Sequence, residues 1–164
     1  MKKLALILCS LMLSTNLAAA ETSTMTGLVQ SKCSIWTEVN GVYGNALSTK
    51  LDTLPTAGGV KGNVRLDVLQ AASYKAKFTA PVAWSSSPSL SDSGTFVNSV
   101  TVGAVSVAGM SAYEAAKVTY NNVTEFNLTL AGSTNFVLNS AFTYAKSLPA
   151  GTYSSVWTVE CIAI

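Results

Sequence analysis

Histidine is absent from this 164-residue chain, and charge is scarce, with only 11% of residues Asp, Glu, Lys or Arg. The missing imidazole removes the commonest general base, the usual partner of a nucleophilic Ser or Cys, and the commonest metal ligand. Conventional triads and zinc sites are therefore excluded. With 10 basic against 8 acidic residues the net charge is +2, which lacks the basic excess of a nucleic-acid binder. Hydrophobic residues make up 49% of the chain and the mean hydropathy is +0.37, so it is not a disordered polyelectrolyte. One ordinary domain fits this length.

The longest apolar run lies at the N-terminus and is too short for a membrane span. Lys2 and Lys3 precede Leu4 to Leu13, Ser14, Thr15 and Asn16 interrupt the run, and Ala18-Ala19-Ala20 stands before Glu21. A basic n-region, a short apolar core and an A-x-A site are the features of a secretory signal peptide, whereas a spanning helix needs about 20 apolar residues. Residues 1–20 are read as signal peptide and 21–164 as the exported domain, with no membrane insertion after cleavage. The style of the segment is bacterial, which points to the periplasm or cell surface. Cleavage takes Lys2 and Lys3 away and leaves basic and acidic residues equal in number. It also leaves two cysteines, Cys33 and Cys161, which in an oxidising compartment read as one disulfide.

Beyond residue 20 the apolar residues recur with period two. From Thr24 to Trp36 one face carries Met25, Gly27, Val29, Ser31, Cys33 and Ile35; from Tyr153 to Ile162 the corresponding face carries Tyr153, Ser155, Trp157, Val159 and Cys161. Both cysteines thus fall on the inward phase of a terminal strand. Further strands are expected near 63–69, 74–78, 95–107, 117–120, 125–131, 135–138 and 142–145, separated by turn-rich segments such as Pro55-Thr-Ala-Gly-Gly59 and Leu148-Pro-Ala-Gly151. Many short strands at this spacing predict an all-β antiparallel sandwich. A turn or two of helix is expected over 111–117, with Ser111 and Glu114 as a capping box.

Candidate chemistry is sparse. No cofactor, phosphate or metal motif is present, and the acids show no spacing that forces a pair together. Gly109-Met-Ser-Ala-Tyr113 has the start of a nucleophile elbow but neither its closing glycine nor a histidine to serve it. The aromatics offer more. Trp36, Trp84 and Trp157, with six tyrosines, provide flat apolar faces of the kind that stack on sugar rings. Alternation puts Trp157 and Tyr153 on a core face. Trp84 opens the serine-rich loop 84–90, where a ring among hydroxyls suits a contact surface for a glycan or a protein partner.

The two ends carry a resemblance. Thr24-Met-Thr-Gly-Leu-Val-Gln-Ser-Lys-Cys-Ser-Ile35 and Leu148-Pro-Ala-Gly-Thr-Tyr-Ser-Ser-Val-Trp-Thr-Val159 resemble the opening and closing segments of secreted pilin-type subunits of the chaperone-usher and spore-coat-protein-U-like kind. The resemblance implies an immunoglobulin-like sandwich that lacks a strand and receives it from a neighbour's N-terminal segment, by β-augmentation. Thr22, Ser23, Thr24 and Met25 would be the donor strand, and assembly with itself or with protein partners would be the role. A Cys33–Cys161 bond bears directly on this, because an inserted strand holds its neighbours about 9–10 Å apart while a disulfide spans at most about 7 Å.

Overall fold

The computed structural model describes residues 33–69 and 74–164, so the expected signal peptide and the segment Thr22 to Met25 lie outside the described residues. Ten strands form two antiparallel sheets. In the larger, β1 (Cys33–Val39) pairs with β4 (Gly62–Val68), and β4 pairs with the first half of β9 (Gly132–Thr143). The second half of β9 pairs on the same side with β3 (Lys50–Asp52), which carries β2 (Gly44–Leu47), and β6 (Thr95–Val105) covers the opposite side of β9. The smaller sheet has the order β10 (Thr158–Ala163), β5 (Tyr74–Thr79), β8 (Val123–Leu128), β7 (Val118–Tyr120).

Side-chain alternation explains the packing. In β4, Val64, Leu66 and Val68 are buried while Asn63, Arg65 and Asp67 face out; in β5, Tyr74, Ala76 and Phe78 are buried against outward Lys75 and Lys77. The two inner faces meet at Phe78, Phe126 and Phe136, each fully buried, with ring centroids 4.7–5.7 Å apart. Leu66, Leu128, Val100 and Met110 complete this packed half of the interior. The all-β antiparallel sandwich predicted from the strand spacing is the one observed.

The disulfide forms where the two alternations placed it. Cys33 and Cys161 are bonded with Cα atoms 6.4 Å apart, yet their strands are not neighbours in a sheet. β1 is the edge of one sheet and β10 the edge of the other, so the bond clips the two sheets together face to face along one margin.

Three local expectations are corrected. The strands near 135–138 and 142–145 are one strand, because the polar pair between them is satisfied in place. Thr53 Oγ1 donates to Asn139 Oδ1 at 2.9 Å and accepts from the Ser140 amide at 2.9 Å. The last strand begins at Thr158 and not at Tyr153, since residue 154 is bridged to Ser86 and leaves the ladder. The short helix Tyr113–Ala116 is present, preceded by a 3₁₀ segment Ala108–Ala112, but no capping box forms. Ser111 Oγ donates back to Ala108 O, and Glu114 turns to β6 and Lys117 instead.

Candidate functional site

The interior has a filled half and an open half. Away from the disulfide, a cleft of about 720 Å³ lies among residues of β1, the larger sheet and the segment leading into β10. Leu51, Val64 and Leu138 form its apolar base, Thr37 and Val39 flank it from β1, and Trp157 and Val159 flank it from the start of β10 and the residue before it. Its polar groups are neutral: Tyr43, Thr53, Ser140, Tyr153 and Ser155, with Tyr43 Oη and Ser155 Oγ hydrogen-bonded at 2.8 Å across the loop. Among the described residues no Asp, Glu, Lys or Arg lines it. Partial burial raises the Tyr153 hydroxyl above its ordinary pKa, with nearby Tyr144 adding to the effect, and that hydroxyl donates to Pro149 O at 2.8 Å. The volume of the cleft is that of a ligand-sized site, about 300–1,000 Å³.

Edge geometry makes this margin accessible. Ile35 and Thr37 sit on the inner face of β1, opposite buried Leu66 and Val64, yet Ile35 is 40% exposed and Thr37 is also exposed. An inner-face residue is open to solvent only where the facing sheet falls short of covering it.

Trp84 is half-buried and does not stand free on its loop. Its ring packs edge-on against Tyr43, Phe96, Phe142 and Tyr153 at centroid distances of 4.8–5.2 Å. Two of these rings, Tyr43 and Tyr153, are walls of the cleft, so Trp84 buttresses it from behind. Bridging of Ser86 to Ser154 folds the loop down, a long-range contact that the local run of serines does not signal. The exposed tryptophan is Trp36, 54% accessible on the outer face of β1. Arg65 lies 5.9 Å from its ring centre, Arg65 Nη1 donates to Glu38 at 2.8 Å, and Asn135 Nδ2 donates to the same carboxylate at 2.8 Å. Alternation alone gave Trp36 no distinction from the other rings.

Each acid among the described residues is matched by a cation. Asp52 pairs with Lys50 at 2.7 Å, Glu125 with Lys75 at 2.9 Å, Glu160 with Lys77 at 2.8 Å and Asp92 with Lys146 at 2.6 Å, while Glu38 and Asp67 both meet Arg65. Among the described residues no cluster of three metal-ligating side chains occurs.

Glu114 is the acid with a structural task. Its carboxylate accepts from the Val102 amide at 2.7 Å and from Lys117 at 2.5 Å. Desolvation opposes its charged form, but the bonds from Lys117 and Val102 and the Lys117 charge outweigh this and hold the carboxyl below its ordinary value of 4.5. A carboxyl lowered on folding stabilises above its unfolded pKa, and that contribution disappears as pH falls through the folded one. Glu114→Gln is accordingly expected to lower the melting temperature near pH 7, and the gap to the parent protein should close on acidification below about pH 4. Melting curves across pH check this; a gap independent of pH would contradict it.

No family model matches the chain, and no curated protein or solved structure matches it either.

Proposed function

We propose that the protein is an exported, non-enzymatic structural or interaction subunit of the bacterial surface or filament type, which holds an uncharged, extended segment of a protein partner in the inter-sheet cleft. The observation that carries this reading is the uncharged 720 Å³ opening between edge strands β1 and β10. A strand lying there meets free strand edges for backbone pairing, aliphatic walls for alternate side chains, and no charge that demands a counter-ion. The disulfide suits an oxidising compartment outside the cytoplasm. It also limits the resemblance to pilin-type, immunoglobulin-like subunits: with β1 and β10 clipped at one end, a donated strand enters the open half of the margin and not its full length. The segment Thr22 to Met25, rich in threonine and free of charge, is the donor this reading favours.

A second reading rests on Trp36. An exposed indole beside a fixed array of guanidinium, carboxylate and amide groups has the makings of a sugar-stacking platform. One set of proteins decides between the two. Deleting residues 22–25, or narrowing the cleft with Thr37→Trp, is expected to abolish the larger assemblies seen by light scattering, while Trp36→Ala leaves them intact. Assemblies that survive both cleft-directed changes, with glycan binding that Trp36→Ala removes, would overturn the first reading in favour of the second.

A further inference from the structure

The far margin of the larger sheet carries a second, independent feature. β6 is 11 residues long and, among the described residues, pairs on one side only, with β9. In an antiparallel ladder alternate residues direct both backbone groups to the same edge. Lys117 Nζ donates to Val100 O at 3.1 Å and Glu114 accepts from Val102 N, which shows that the even-numbered residues of this run point away from β9. Phe96 N and O, Asn98 N and O, and Val100 N therefore form an unpaired row, without a backbone partner among the described residues.

Other edges of the molecule are guarded as sheet edges commonly are. β1 carries the Glu38 bulge, β10 is short with Glu160 in its middle, and β7 has three residues. From Thr95 to Val102 β6 has no charge, no proline and no bulge. Beside this edge runs a groove of about 470 Å³ to which Phe96, Asn98, Thr119, Asn121, Asn122 and Trp157 contribute, and none of its lining is charged.

The geometry points to a second copy of this chain as the occupant, and we infer that two β6 strands pair antiparallel about a two-fold axis at Asn98. Three observations select a copy of itself. The outward row Phe96, Asn98, Val100 is centred on Asn98, so two copies match Asn98 N and O with each other and Phe96 O with Val100 N, while Val100 O stays with Lys117. Glu114 and Lys117 already occupy the backbone at Val102 and Val100 O, so a partner strand shifted further toward Val102 meets their side chains. The pairing sets Phe96 opposite Val100 of the partner subunit, an aromatic and β-branched pair, and brings no like charges together. A two-fold contact of this kind is isologous and closes as a dimer. It is separate from the β1–β10 cleft, so either interface can fail without the other.

The test uses the outward side chains Val97, 62% exposed, and Ser99, also exposed, which this register places opposite one another across the axis. Val97→Lys with Ser99→Lys juxtaposes lysines twice and is expected to weaken dimerisation about tenfold or more, read by sedimentation equilibrium on the secreted chain. Val97→Lys with Ser99→Glu places opposite charges at the same two points and is expected to restore the dimer, which shows that loss in the first variant was not misfolding. Thr37→Trp should leave this dimer unchanged. A chain that stays monomeric at all concentrations, or a dimer indifferent to the paired lysines, overturns the inference.

Discussion

Replacing Cys33 and Cys161 together by serine is expected to reduce the free energy of unfolding by about 5 kcal/mol. The bond joins residues 128 apart, so it denies the unfolded chain most of its freedom to separate its ends. Its effect in the native state is equally direct. Among the described residues β1 has only β4 as a ladder partner and β10 has only β5, so this bond and a few side chains are what hold the two edge strands against each other there. A domain whose whole stability lies in the range of about 5–15 kcal/mol loses a third or more of it. Urea unfolding of the double variant, oxidised parent alongside, measures the difference. A loss under about 1 kcal/mol would mean that the margin is held by other contacts.

Phe126→Ala is expected to cost about 3–5 kcal/mol. Phe126 is fully buried between Phe78 and Phe136, whose centroids lie 5.7 and 4.7 Å from its own, so truncation leaves a cavity inside the packed half. Trp157→Ala removes a larger side chain and should cost less. Trp157 lines both the 720 Å³ and the 470 Å³ clefts, so its removal enlarges a space that is already open. This contrast in denaturant midpoints, with the slopes unchanged, would distinguish a filled half from an open half of the same sandwich. Equal losses would show that the interior is uniformly packed.

Much of the architecture was legible because period-two alternation is a local signal. It located strands near 63–69 and 74–78, where β4 and β5 lie, and it put Cys33 and Cys161 on inward phases of strands that turned out to face each other. The hairpin of β2 and β3 was not legible, since four and three residues carry too little alternation to register. The candidate site was less accessible for a related reason. A cleft is a place where facing sheets fail to meet, and no residue type marks that failure. Trp84 shows the point from the other side: its serine-rich setting reads as exposed, and a bridge to Ser154 turns it inward. The free edge of β6 became visible only through Glu114 and Lys117, whose side chains reveal which backbone groups face outward.

A single spectroscopic titration tests the central claim, that the uncharged opening between β1 and β10 receives an extended segment. The chain from residue 21 onward, oxidised and ¹⁵N-labelled, is titrated with a synthetic peptide spanning residues 22–31, and amide shifts are followed. Saturable changes at Thr37, Val39, Ser155, Trp157 and Val159, absent with Thr37→Trp, are the predicted result. Shifts confined to the outer face around Trp36 and Arg65, or none at any peptide concentration, would contradict it.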